Sequence, residues 1–443
     1  MLDPRVYRAG LVVAALALIV LAFSLRNQQS ALTPTLSPQA FNGQNVYTTM
    51  NTIARQDPSR RPGSDGDKAL AVQVANVFGQ YFGKSAVTTD TFSGATVDGS
   101  KTLENVVAVR PGMRNGSIVI IAHRDALGAP SKASVSGTAT LLELARDLQG
   151  ETLNRTVVLA STSGSQGTAG AIHLASTLAG PIDGVIVLGD LAGSQVRQPV
   201  IVPWSTSPPL APSQLRNTLA AALSSQASLS VAATGLGGQF AHLAFPFTVS
   251  EQAPFDARGI PAVELSTSGE LGPAANAPVG GPAQINGLGR AVLQTISALD
   301  SGSTLTPPSA YILFDGKLVP GWAMALFVLA LLVPVAMTTI DGLARARRRG
   351  HILWRSLLLV LLAAIPFALV IAVAVIARVT GILPAVVPGP AAPGAIPLQG
   401  AGVAVLVIAG LVFVVSMAAV ALVARRVRPP APDRRSRATV RST

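Results

Sequence analysis

Residues 117–170 read SIVIIAHRDALGAPSKASVSGTATLLELARDLQGETLNRTVVLASTSGSQGTAG, and they set the fold. Two runs rich in Val and Ile, 118–122 and 157–160, flank ATLLELARDL at 139–148, whose apolar residues recur close to every 3.6 positions. The pattern predicts a strand, a helix and a second strand. Because the strand runs are continuously apolar, both sheet faces are expected to be covered, as in a parallel sheet. Ligands of such sheets sit at the carboxyl ends of the strands. The first run ends on His123, Arg124 and Asp125 and the second on Ser161 to Ser165, so these residues lie on the expected rim.

Outward from this core the alternation continues. TLENVVAVRPG at 102–112 reads as a strand, AGAIHLASTL at 169–178 as a helix and GVIVLGDLAG at 184–193 as a strand that delivers Asp190. The expected class is α/β, with a mostly parallel central sheet flanked by helices. The chain has no cysteine, which excludes disulfides, thiolate metal ligands and a cysteine nucleophile. A domain over 44–300 is long enough to be held by one large core. Segments 27–43 and 301–317, rich in Ser, Thr and Pro, read as its linkers.

Landmarks in chain order widen the pattern. They are RRPGS at 60–64, ENVVA at 104–108, His123-x-Asp125, Ala133 to Gly137 opening a helix, Gly164-Ser165 after a strand and Asp190 at a strand end. Ser250-Glu251-Gln252 then precedes Gly259-Ile260-Pro261-Ala262. Together they resemble the co-catalytic zinc aminopeptidases of metallopeptidase family twenty-eight. In that family one zinc is held by the His of His-x-Asp, a bridging Asp and the Asp of a later strand. The other takes the bridging Asp, the second Glu of a Glu-Glu pair and the His of Ser-Asp-His; the first Glu is the general base.

Carried over residue by residue, the resemblance implies that His123 and Asp190 keep two metal positions and that Asp125 keeps the place that orients the histidine. Ala133 stands at the bridging Asp, Gly164 at the base, and Ser165 and Gln252 at the remaining ligands. A catalytic zinc needs about three protein ligands, and its bound water passes a proton through a carboxylate. The resemblance therefore implies the fold without the two-zinc chemistry. No catalytic residue and no cofactor are expected, and His123 with Asp190 is a vestigial metal pair. Zinc is expected only under the alternative of a working metallo-aminopeptidase with non-standard ligands.

Plainer readings stand beside these. His123 and Asp190 also read as a hydrogen-bonded pair on the rim, and His173 as a structural residue of its helix. His242 lies ten residues before Gln252, away from the family's ligand place, and His351 falls in a basic loop. A competing chemistry is a serine hydrolase: Ser163-Gly164-Ser165-Gln166-Gly167 approaches a Gly-x-Ser-x-Gly elbow, and Asp190 and His242 follow in the Ser, Asp, His order. The first Gly of that motif is missing.

Charge is divided along the chain. The formal +12 suggests a nucleic-acid binder, yet residues 27–317 hold 17 basic against 18 acidic residues, while the ends and loops hold 16 against 3. The excess lies beside uncharged runs at 9–25, 318–340, 356–377 and 401–424. These are expected to be one N-terminal transmembrane helix, within 1–26, and three C-terminal ones, within 318–424. A Pro/Gly-rich outer loop at 379–400 and a basic tail at 425–443 complete the chain. Arg5 and Arg8, Arg345, Arg347, Arg348 and Arg349, and Arg425, Arg426 and Arg428 all fall on one side, the cytoplasm. The large domain then faces outward from the plasma membrane. A cleaved signal peptide is the alternative for the first run, with Ala22 and Ser24 near its end.

The expected protein is a membrane-anchored, non-catalytic relative of zinc peptidases. Its partners are the lipid bilayer and a peptide, protein or envelope component, with no nucleic acid. The alternatives are the working peptidase and a subunit or regulator of a membrane assembly.

Overall fold

A computed structural model describes residues 4–35, 38–129, 132–194, 198–348, 353–383 and 400–427. Its strands are β1 (Arg26–Asn27), β2 (Val87–Thr96), β3 (Gly99–Arg110), β4 (Ser117–His123) and β5 (Thr156–Thr162), followed by β6 (Ile182–Leu188), β7 (Val200–Val202), β8 (Ala262–Ser266), β9 (Tyr311–Phe314) and β10 (Lys317–Pro320). The helices are α1 (Pro4–Ser24), α2 (Gly43–Gln56), α3 (Asp65–Phe82), α4 (Ser136–Asp147), α5 (Ala169–Thr177) and α6 (Ser213–Ala227). They continue with α7 (Leu236–Ala244), α8 (Ala253–Asp256), α9 (Pro282–Ser301), α10 (Gly321–Arg348), α11 (Leu353–Val379) and α12 (Gly400–Val427).

Seven strands form the central sheet in the order β2-β3-β5-β4-β6-β8-β7. The middle four are parallel. The outer three run antiparallel to their neighbours. The division follows the sequence: β4, β5 and β6 are the continuously apolar runs, buried on both faces. By contrast β2, VTTDTFSGAT, is an edge strand with many exposed positions, and it was not anticipated from apolar runs.

Side chains alternate across the sheet. Ile118, Ile120, Val157, Leu159, Ile186 and Leu188 enter a large core with residues of α2, α3, α4, α6 and α9. Val119, Ile121, Val158, Val185 and Val187 enter a smaller core closed by Leu174 of α5 and Phe255 of α8. Burial of these side chains supplies the main stabilising term in a domain without cross-links.

The segments read as linkers are packed along the domain. Leu32 N donates to Thr218 Oγ1 at 3.0 Å and Thr35 N to Ser297 Oγ at 3.3 Å. Leu210 and Ser309 exchange two backbone hydrogen bonds of 3.0 Å. A second, three-stranded sheet, β1-β10-β9, is antiparallel throughout. It explains why the first C-terminal apolar helix begins at Gly321 rather than at 318: Leu318, Val319 and Pro320 pair with Leu313, Ile312 and Tyr311.

Contacts divide the chain into two compact units, the first running from Ala15 to Leu329 and the second including Met1–Ala14 and Ala330–Ala385. Among the described residues three helices are long and apolar enough to cross a membrane: Gly321–Arg345, Val360–Val379 and Gly400–Val423. The N-terminal apolar stretch Gly10–Ser24 is shorter. In the second unit Phe367 of α11 meets Phe413 of α12 edge-on, with ring centroids 5.4 Å apart. A Cβ at Gly10 would lie 2.6 Å from Pro334 Cγ, so α1 approaches α10 there through the missing side chain. Pro384 to Pro397 of the expected outer loop, Arg349, His351 and the tail from Arg428 lie outside the described residues.

Candidate functional site

The candidate site is built at the carboxyl ends of β4, β5, β6 and β8. After His123 the chain turns through Arg124, whose side chain is fully buried. Its guanidinium pairs with Asp67 at 2.9 Å and donates to the carbonyls of Ser161 (3.1 Å) and Glu104 (2.7 Å). Arg60, also fully buried, donates to the carbonyls of Arg124 (3.2 Å) and Asp57 (2.6 Å). Both cations are tolerated inside because each is amply hydrogen-bonded. Together they fix the loop that carries Asp125.

His123 faces an acid absent from the sequence-based ligand set. Its Nδ1 lies 3.5 Å from Glu251 Oε2, and Glu251 Oε1 accepts from Thr162 Oγ1 at 2.7 Å. Burial alone would lower the imidazole pKa. The nearby Glu251 carboxylate, with the charges of Asp125 and Glu264, outweighs it and raises the value to about 9. Burial, reinforced by Glu251 and Glu270 and opposed by His123, pushes Glu264 to about 8. Asp125 rises to about 6, chiefly through burial, with His123 opposing. The site is thus a buried cluster of one imidazole and several carboxyls.

Asp125 is hydrogen-bonded to Ser165. Its carboxylate accepts the backbone N–H of Ser165 at 3.1 Å and the Ser165 hydroxyl at 2.8 Å. Asp190 is not bonded to His123. Its Oδ1 accepts from Ala192 N and Gly193 N, both at 2.8 Å, and from Ser136 Oγ at 3.1 Å; its Oδ2 accepts from the Ser268 hydroxyl. Burial pushes the Asp190 pKa up against these donors. Ser136 is delivered by the start of α4, which lies close to the end of β6 because residue 137 is Gly: a Cβ there would sit 2.4 Å from Leu188 O.

The substituted positions are equally specific. Ala133 is buried and offers no side-chain donor atom. Gly164 has φ +82°, a left-handed conformation that disfavours side chains, and a Cβ there would meet Leu103 Cδ1 at 2.9 Å. Gln252 is fully buried and donates through Nε2 to Trp204 O at 2.9 Å. These residues do not fit a zinc pair. The bridging and base positions have no donor, and the remaining metal-type acid, Asp190, is occupied by four protein donors. Among the described residues no group of three or more His, Cys, Asp or Glu is arranged to hold a metal ion.

The serine-hydrolase constellation is not assembled either. The Ser165 hydroxyl is used on Asp125. His242 stacks on Trp204 with centroids 4.2 Å apart and lies 4.0 Å from Glu270. No hydrogen bond joins any two of Ser165, Asp190 and His242 among the described residues. His173 is tied to Asp90 at 2.6 Å and stacked on Phe92, away from the rim. Sequence reasoning missed Glu251 and Glu264. The available signal was an acid inside the apolar strand AVELS, and another immediately before Gln252.

Comparison with known proteins agrees with this frame. Residues 105–281 match the family model described as Peptidase family M28. That match marks the α/β domain as Peptidase family M28-like. Solved structures similar to the chain include the LapA aminopeptidase of Legionella pneumophila, at 15% identity, covering 62% of this chain and 78% of that one with a TM-score of 0.49. BSAP, a zinc aminopeptidase from Bacillus subtilis, is 11% identical over 58% of this chain and 94% of that one, with a TM-score of 0.46. An Acidobacteriales bacterium glutaminyl cyclase is 18% identical over 62% and 99%, with a TM-score of 0.44. No curated protein matches the chain by sequence.

Proposed function

We propose that this chain is a membrane-held, zinc-free relative of the zinc aminopeptidases, whose α/β domain faces away from the cytoplasm and binds a peptide or protein segment without cleaving it. One observation carries the reading. Of the five ligand positions and one base position implied by the family, only His123 and Asp190 keep donor chemistry, and both are committed to protein partners. Hydrolysis needs an activated water and a base to take its proton. At the positions where the family places them, this chain has Ala133 for the bridging ligand and Gly164 for the base.

A binding role is supported by a cavity of about 540 Å³ beside the Asp190 loop, bordered by Ser194, Gln226, Thr267, Gln284 and Asn286. Among the described residues its lining combines amides and hydroxyls with Pro199, Ala227 and Leu229 and holds no charged side chain, which suits a neutral polar chain such as peptide backbone. The test is hydrolysis of aminoacyl p-nitroanilides by the full-length protein in detergent, with and without added zinc. The expected rate equals that of the His123→Ala variant. A rate that rises with zinc and disappears in His123→Ala would overturn the reading.

A further inference from the structure

Between Arg216 and Glu251 lie 34 residues without a single Asp, Glu, Lys or Arg, in a domain otherwise well supplied with both signs. They contain α7, LGGQFAHLA, and the following FPF. In α7 only Gln239 is buried. Leu236, Phe240, Phe245 and Phe247 are exposed, Phe245 at 75%. Exposed aromatic side chains on a charge-free segment mark a surface that meets something apolar.

The position of this face says what that is. Gln239 clamps α7 to the small sheet: its Nε2 donates to Leu313 O at 3.2 Å and its Oε1 accepts from Leu313 N at 2.7 Å. Leu313 pairs with Leu318 of β10. That strand passes at Pro320 directly into the apolar helix α10 at Gly321, with no intervening residue. β1 likewise follows one residue after the end of α1. From Leu318 to Gly321 is a rise of about 10 Å at strand geometry. Interfacial helices bury an apolar face about 5–10 Å into the headgroup and acyl boundary. Trp322, exposed at the start of α10, occupies the place of a membrane-interface aromatic.

We infer that α7 and Phe245-Pro246-Phe247 form a membrane-contacting face that rests in the outer leaflet beside α10. The occupant is the lipid surface of the protein's own bilayer. Contact is apolar and independent of headgroup charge, because no cation lies in the segment. The inference rests on the candidate spans and not on the loss of zinc.

The natural absence of cysteine makes the test direct. Full-length Phe245→Cys and Leu236→Cys, labelled with an environment-sensitive fluorophore, are reconstituted in phosphatidylcholine vesicles containing a shallow spin-labelled lipid. Trp322→Cys is the membrane reference and Ser85→Cys, an exposed residue after α3, the aqueous one. The expected result is a loss of emission at 245 and 236 comparable with that at 322, with Ser85→Cys unaffected. Emission at 245 and 236 unchanged, like Ser85→Cys, would overturn the inference. So would a blue-shifted emission at 245 and 236 that the spin-labelled lipid does not quench, which would assign the face to a protein contact.

Discussion

Nδ1 of His123 and Oε2 of Glu251 lie 3.5 Å apart at the carboxyl end of β4, so a carboxylate of the chain itself faces the histidine that ends this strand. The pair has a pH signature. The His123 pKa is raised from the ordinary 6.5 to about 9, so its stabilisation is fully present below about 6.5 and lost as pH rises through about 9. Asp125 and Glu264, raised to about 6 and about 8, act in the same direction over lower windows, because the folded state holds their protons longer. The melting temperature is expected to fall between pH 6 and pH 9.5. His123→Asn should flatten the fall above pH 6.5, and a wild-type profile that rises over that range would contradict the assignment.

Asp190 is expected to be structural. Removing its carboxylate leaves two backbone N–H groups and the Ser268 hydroxyl without their acceptor, at about 1–3 kcal/mol for each buried group left unpaired, while Ser136 keeps the carbonyl of Ala133. Asp190→Ala should therefore lower the denaturation midpoint markedly while the metal content of the protein stays the same. Loss of bound zinc in that variant would instead assign Asp190 as a ligand.

The backbone limits how far the site can be rebuilt. Gly164→Glu restores the base of the zinc peptidases, but it places a side chain at φ +82° against Leu103 and Ala169. Such strain costs on the order of 1–3 kcal/mol. Ala133→Asp, Ser165→Glu and Gln252→His together restore the ligands without that penalty. The triple variant should bind zinc more tightly than the natural protein, read by calorimetry, and should remain without peptidase activity until the base is supplied.

Much of the fold was legible because it rests on period and punctuation. The runs that became β4, β5 and β6 are apolar at nearly every position, and α4 has the apolar spacing of a helix, although the structure buries it on all sides from Ser136 to Ala145. β2 was not legible, since an edge strand half in water carries polar residues that resemble a loop. β9 and β10 were hidden for the opposite reason: Leu318 and Val319 adjoin an apolar helix and merge with it in any hydropathy reading. At the site, sequence located the strand ends. It did not locate the partners. Which acid reaches His123, and that Ser165 closes on Asp125, depend on how strands distant in sequence meet, through Glu251, Glu264 and the turn at Gly164.

Orientation can be read with the same cysteine-free background. Ser85→Cys, in the α/β domain, should react with an impermeant maleimide in sealed cells, and Ser436→Cys, in the basic tail, only after the membrane is opened. Labelling of the tail in sealed cells would reverse the arrangement inferred from the arginine clusters.

The central claim is that this peptidase fold no longer holds its zinc pair, and metal stoichiometry tests it most directly. Full-length protein is purified in detergent, equilibrated with zinc, freed of loose ions by gel filtration and analysed by mass spectrometry for metal per chain. The account predicts a value well below one, unchanged in His123→Ala and in Ser165→Ala. About two zinc ions per chain, lost in His123→Ala, would show that other residues supply the ligands and that the site is a working metal centre.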